Sequence, residues 1–385
     1  MFNLCYNAFL DKFTSYAKFG KNSSMVWLLY EDSRRRPLQE VPPAMQMLDI
    51  ILAPWLSTCV HIAAKRSFAD IIESMDNHQA SIEHISQEAK VHPVWTRAIL
   101  QVLTKADIFA ETEQHLFKNT PLSDCLRRDQ PRTLKWQASA LLCSRSLILL
   151  SQLDYYIDKV GVSLPQELWG KELYELFEQQ EGNQSARLSS ERVIVELGSR
   201  AEFDMMLESV GAVVDSAIAQ SYQFKGTVCD LGGGRGSLLA TVAHHHPDVK
   251  SVLFERQFTV EKLLSKQAEY PFSLVVGDFF QQVPHADIYI LKQVLHNWPD
   301  NLCIEILKRC AEANPDAKVL VIEQVIRDSD NVVEIANLVM MIEQNGKERT
   351  LEEYKVIGKN AGFKQFQVYP THAVSTIIEM TIDTL

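Results

Sequence analysis

Four glycines within five residues, Gly232, Gly233, Gly234 and Gly236, constrain this chain more than any other feature. They lie in Gly226–Leu239, GTVCDLGGGRGSLL. Thr227–Leu231 is a short β-prone apolar run carrying one carboxylate, Asp230, and Ser237–His244 reads as the helix that follows. Strand, glycine loop and helix make a nucleotide-type binding turn. Glycine serves there because the backbone needs positive φ and a ligand must approach without meeting a Cβ.

The spacing narrows the ligand. A dinucleotide turn wants glycine at its first, third and sixth positions. Counted from Gly232, the sixth position is Ser237. The chain supplies instead Asp230-x-Gly232-x-Gly234-x-Gly236, a pattern suited to the sulfonium nucleoside S-adenosylmethionine, which has no pyrophosphate to cradle. Taken alone, a chance loop is the competing reading.

With 385 residues the chain suggests two domains. A net charge of −11 argues against nucleic-acid or anionic-membrane partners. Seven cysteines are scattered singly without a CxxC pair, which points to a reducing cytoplasm and to no metal site. No apolar run is expected to reach the ~18 residues of a membrane span. The aromatic start, with Phe2, Tyr6, Phe9, Phe13 and Tyr16, reads as an amphipathic helix packed on its own body or on a second subunit, rather than as a signal peptide. Arg34–Arg36 read as a solvated turn.

Met45–Ala64 is an apolar helix, expected to break at Pro54. Ser81–Ala89 and Pro93–Lys105 are two helices around a short turn, and Ile108–Asn119 alternates like a small hairpin, which together make a winged helix. DNA binding is its obvious use. The second helix, however, offers only Arg97 and Lys105 on a mostly apolar surface. Thr120-Pro121 starts a further helix. Leu134–Val160 reads as one long helix lining a pocket, Gln179–Ser190 as a loop or lid, and Ala201–Tyr222 as an amphipathic helix.

From Gly226 strands and helices alternate, with strands at Thr227–Leu231, Ser251–Glu255, Ser273–Gly277, Asp287–Leu291, Lys318–Glu323, Phe363–Tyr369 and Val374–Met380. The first five are spaced for a parallel sheet, and the tight Pro370-Thr371 turn makes the last two antiparallel. The fold class is α/β: a doubly wound, seven-stranded, mostly parallel sheet behind a mainly helical winged-helix domain.

In such sheets ligands sit beyond the carboxyl ends of the strands. Glu255 closes the second strand and suits a ribose diol, although a solvated carboxylate is an equal reading. Asp278 and Phe279 follow the third strand, where an acid and a ring suit adenine. Lys292 ends the fourth. His296 lies four residues further and titrates near neutrality, as a base for a hydroxyl would. A lone histidine is more often structural; Glu323, ending the fifth strand, and Glu348, in GKERT, are placed to orient this one. Thr350 and Glu353 read as a capping box.

The runs CDLGGGRGSLL, LFERQ, GDFF, LKQVLHNWPDNLCIEILKRC, KVLVIEQVI and GKERTLEEYKVIGKNAGF keep order and spacing from Gly226 onward. In these the C-terminal half resembles the class I S-adenosylmethionine-dependent O-methyltransferases of the caffeic-acid, acetylserotonin and bacterial polyketide-tailoring type. The N-terminal half is similar in architecture alone. The resemblance implies a cofactor site at Asp230, Gly232, Gly234, Glu255, Asp278, Phe279 and Lys292, and a base at His296 flanked by Glu323 and Glu348. It implies a small hydroxylated acceptor facing Cys143 and Ser144, a homodimer, and no metal. The implied division is 1–133 for dimerisation, 134–200 for the acceptor pocket and 201–385 for catalysis. Asn297 departs from the family's usual Asp after the histidine and Glu255 from its usual Asp, so a non-methylating use of the cofactor, of pericyclase or hydroxylase type, stays open.

Overall fold

The computed structural model describes residues 42–131, 133–159, 161–178, 187–190, 193–196, 200–265, 267–327, 331–371 and 373–382. The aromatic N-terminal stretch and Arg34–Arg36 lie outside them. The chain divides into two compact units, Met1–Gln130 and Pro131–Leu385.

In the first unit, helix α1 (Pro43–Lys65) runs unbroken through Pro54. Proline removes one N–H from the ladder, but the bonds on either side persist, and Thr58 Oγ1 donates to the Pro54 carbonyl over 2.8 Å. At 23 residues α1 is long and apolar enough to cross a bilayer, contrary to the expectation from sequence, because its few polar residues are spread thinly along it. Next come α2 (Phe68–Glu73), β1 (Gln79–Ala80), α3 (Ile82–Ala89), α4 (Pro93–Lys105), β2 (Phe109–Glu111), β3 (Phe117–Asn119) and α5 (Pro121–Asp124). Ser81 caps α3 by accepting from the His84 amide, and Thr120 caps α5. The strands order β1-β3-β2, and Phe68, Ile72, Ile85, Leu100, Phe109 and Phe117 are buried beneath them. This is the expected winged helix.

The second unit opens with two helices where one was expected, α6 (Lys135–Leu141) and α7 (Ser144–Tyr156). Cys143 between them is extended, with ψ 166°. The break falls beside a buried polar pair that needs partners. Ser146 Oγ donates to Glu343 Oε1 at 3.4 Å, and Arg145 lies 3.6 Å from that oxygen with its guanidinium over Phe177 and Phe203. After α8 (Leu164–Trp169) and α9 (Leu173–Glu178), β4 (Arg187–Ser190) pairs antiparallel with β5 (Val193–Glu196). The C-terminal part of the expected Gln179–Ser190 loop is therefore strand, stabilised by pairing with the β-branched run Val193–Val195; 179–186 lies outside the described residues. Helix α10 (Arg200–Ser221) then leads into the sheet.

The sheet alternates β6 (Thr227–Leu231), α11 (Ser237–His245), β7 (Lys250–Glu255), α12 (Gln257–Leu264), β8 (Ser273–Val276), β9 (Ile288–Lys292), α13 (Asp300–Ala313), β10 (Lys318–Gln324), α14 (Asn331–Gln344), α15 (Leu351–Asn360), β11 (Gln365–Pro370) and β12 (Ser375–Thr381). Its order is β11-β12-β10-β9-β6-β7-β8, parallel from β10 to β8 and antiparallel through β12 and β11. Alternate strand residues face opposite layers. Cys229, Tyr289 and Val321 pack with Ile306 and Cys310 of α13, whereas Val228, Ile290 and Leu320 pack with Ile218 of α10 and Leu239 of α11. A sheet buried on both faces leaves its reactive residues to the strand ends.

Candidate active site

The five parallel strands finish on one rim. There Gly232, Gly234 and Gly236 adopt φ of 71°, 60° and 78°, the left-handed turn that the glycine spacing predicts. A Cβ on Gly233 would fall 2.3 Å from Asp230 Oδ2, so the loop wraps directly over that carboxylate. Asp230 is buried, its Oδ1 has no hydrogen-bond donor among the described residues, and burial pushes its pKa up to about 7. Phe279 Cε1 and Val294 Cγ2 would each lie 3.4 Å from a Cβ on Gly232, which brings the ring after β8 and the turn after β9 against the glycine loop.

Glu255 closes that loop from β7. Its Oε1 accepts from the Gly234 amide at 3.2 Å, and its Oε2 from the Arg256 amide at 2.6 Å. Asp278 accepts from the Phe280 amide at 2.9 Å, and Phe279, Phe280 and Trp298 form an aromatic cluster with centroids 4.8–6.2 Å apart. Lys292 is engaged: its Nζ donates to Asp215 Oδ1 over 2.5 Å, and Asp215 Oδ2 accepts from Ser237 Oγ at 2.6 Å. Asp215, on α10, is fully buried. A nucleoside fits this rim, which offers an open glycine loop, a ring beside it, two acids at successive strand ends and a donor-less buried carboxylate oxygen.

His296 sits in the turn Leu295–Asn297 after β9. Its Nδ1 lies 2.8 Å from Glu348 Oε1 and 3.7 Å from Glu323 Oε2, and its amide donates to Glu323 Oε1 at 3.3 Å. Both acids are buried. A carboxylate only accepts, so in the neutral ring Nδ1 carries the proton and Nε2 the lone pair. Burial disfavours the imidazolium, but the charge of Glu323 and the hydrogen bond to Glu348 outweigh it and leave the His296 pKa above its ordinary value. Burial likewise raises Glu323 to about 7. The three side chains bring one ligand-type atom each within 4.8 Å of one another, a spacing that also suits a cation and that sequence did not disclose. Such an arrangement can take a proton at Nε2 and hold the resulting charge.

Sequence comparison places an O-methyltransferase domain at residues 187–364. Phenazine O-methyltransferase PhzM of Lysobacter antibioticus is 27% identical over 350 residues, spanning 88% of this chain and 96% of that protein. The chain carries an O-methyltransferase domain. The structure of mitomycin 7-O-methyltransferase MmcR superposes with a TM-score of 0.77 at 23% identity, covering 87% of this chain and 96% of that one. That of NcsB1, an O-methyltransferase of neocarzinostatin biosynthesis in complex with S-adenosylmethionine and 2-hydroxy-5-methyl naphthoic acid, gives a TM-score of 0.70 at 26% identity, covering 84% and 95%.

Within this domain, His296, Glu323 and Glu348 come together, as do Gly232, Gly234, Asp230 and Glu255, with Phe279 at their edge. Cys143 is buried at the head of α7 with Sγ 3.9 Å from Ser146 Oγ, and Ser144 is exposed. Sequence reading missed Asp215, whose only signal is a carboxylate inside the apolar run Val213–Ala219. It also missed Gly346, where a Cβ would lie 2.0 Å from the His296 carbonyl oxygen.

Proposed function

We propose that the enzyme methylates a hydroxyl of a small aromatic or polyketide-like metabolite, with S-adenosylmethionine as donor and His296 as general base. One observation supports this above the rest: a histidine whose Nδ1 bonds the buried Glu348, with the buried Glu323 3.7 Å away, two residues from the Val294 contact with the glycine loop. The glycine loop, Glu255, Asp278 and Phe279 would hold the nucleoside, and Asp230 and Lys292 would support that cradle from beneath. When bound, the cofactor supplies a methyl group on a sulfonium leaving group. The protein aligns the acceptor oxygen, takes its proton at Nε2 and balances the imidazolium with Glu323 and Glu348. A positioned base contributes about 10²–10⁴-fold in rate.

The substrate class is carried over from the relatives, PhzM and MmcR being named for a phenazine and a mitomycin. Incubation with S-adenosylmethionine and a panel of aromatic hydroxy compounds tests it by mass spectrometry. Methylated product and S-adenosylhomocysteine should appear together, and His296→Ala should bind cofactor normally with turnover nearly abolished. Product without S-adenosylhomocysteine would replace this reading with a non-methylating one.

A homodimer belongs to the same proposal. The first unit exposes Met47, Ile50, Ile51 and Trp55 on α1 and Val94 and Trp95 on α4, an apolar surface suited to a second copy and unsuited to a phosphate backbone. Among the described residues the six cysteines are free thiols, which supports a cytoplasmic setting.

A further inference from the structure

Arg349 is fully buried, and its guanidinium is held by three backbone carbonyls and one carboxylate. Nη1 donates to the carbonyls of Leu295 at 3.0 Å and Lys347 at 3.1 Å. Nη2 donates to the Trp298 carbonyl at 2.7 Å and to Asp300 Oδ1 at 2.8 Å, and Nε to the same Asp300 oxygen at 2.9 Å. Leu295 and Trp298 bracket His296, and Lys347 immediately precedes Glu348. One planar fork therefore ties the turn that carries the histidine to the loop that carries its carboxylate partner.

Other bonds fix the two sides of this joint. The Arg349 carbonyl accepts from the Ile326 amide at 3.0 Å, anchoring the Glu348 loop just beyond β10. Near the start of α13, the Cys303 thiol donates to the same two carbonyls, Leu295 at 3.2 Å and Trp298 at 3.4 Å. Burial pushes that thiol up to about 12, so it remains a neutral donor at physiological pH. Asp300 is half exposed and balances the guanidinium's charge from the solvent side. Arginine suits the task because its five N–H groups lie in one rigid plane, whereas a lysine has three donors on a mobile stem.

We propose that Arg349 is a positioning residue for the methyl-transfer reaction, setting the contact between His296 and Glu348 without touching cofactor or acceptor. The proposal rests on the reading of His296 as the base. It predicts a loss confined to the chemical step, because a displacement near 1 Å at a reacting group costs on the order of 10²-fold.

Arg349→Lys, which keeps the charge and loses the fork, and Asp300→Asn, which keeps an acceptor and loses the charge, test it in the full-length enzyme. Arg349→Lys should lower kcat about 100-fold with KM for cofactor and acceptor within about twofold of wild type. The acidic limb of its kcat–pH profile should move down towards the ordinary imidazole range. Asp300→Asn should move both quantities the same way by less. Nitrogen-15 NMR of the His296 ring supplies a readout independent of turnover: its pKa should fall in Arg349→Lys relative to wild type. If wild type methylates no acceptor, the function reading fails while the ring titration still decides the positioning claim. If Arg349→Lys does not fold, the Asp300→Asn profile and ring titration decide it. A folded variant that melts earlier while His296 titrates as in wild type would overturn the proposal, since Arg349 would then be structural only.

Discussion

Gly346→Ala adds one methyl group at the most crowded point of the site. The new Cβ would stand 2.0 Å from the His296 carbonyl oxygen and 2.6 Å from the Asn297 carbonyl carbon. Both neighbours are backbone, so neither relieves the clash by rotating a side chain. Restoring a contact of 3.4 Å requires the His296 turn and the Gly346 loop to part by about 1.4 Å. The imidazole leaves its place opposite Glu348 by a comparable distance, and a displacement of that size costs on the order of 10²-fold in rate. The core is little changed, so the stability loss should resemble an ordinary overpacking, about 1–3 kcal/mol. Steady-state kinetics, cofactor titration calorimetry and thermal melting on one preparation separate these terms. The expected result is kcat down about 100-fold with cofactor affinity retained and a melting point lowered by a few degrees. Full turnover in a folded Gly346→Ala enzyme would refute the reasoning, because the base would then tolerate a shift that the geometry says it cannot.

Three further outcomes follow from the same geometry. The base must be neutral to act and its pKa is raised, so kcat should climb with pH along a limb lying above the ordinary imidazole value; Glu348→Gln should move that limb to lower pH while reducing kcat, and an unmoved limb would remove Glu348 as its cause. Asp215→Ala strands the Lys292 ammonium and frees Ser237, so urea unfolding should show a loss of about 3–5 kcal/mol, with Asp215→Asn milder; a difference below 1 kcal/mol would contradict the buried-pair assignment. Dialysis against EDTA should leave turnover unchanged, since Nδ1 already donates to Glu348; a loss restored by a divalent ion would reassign the three side chains to a metal.

Much of this architecture is legible in the residues because strand order follows from spacing and buried strands announce themselves as apolar runs. The glycine loop, the seven strands and the winged helix all carry such local signals. Three misreadings share a different cause. Pro54 lies within a helix long enough to absorb one missing N–H, so a local rule overstated its effect. The α6–α7 break follows from Arg145 and Ser146 meeting Glu343 nearly two hundred residues away. Strand β4 is completed by its pairing with β5, which a loop-like composition concealed. At the site, His296, Glu323 and Glu348 could be named because each ends a strand or occupies a charged turn. Asp215, Gly346 and Arg349 could not, since their importance lies in what the folded backbone brings beside them.

The rim where the parallel strands finish separates two kinds of demand on the sequence. Strand interiors, with Ile288–Leu291 and Val319–Ile322 almost wholly enclosed, govern whether the polypeptide folds at all. The turns that leave them bear the groups that touch small molecules. Lengthening or recolouring such a turn leaves the layers below intact, so a lineage could drift towards new acceptors while its melting temperature stays where it was.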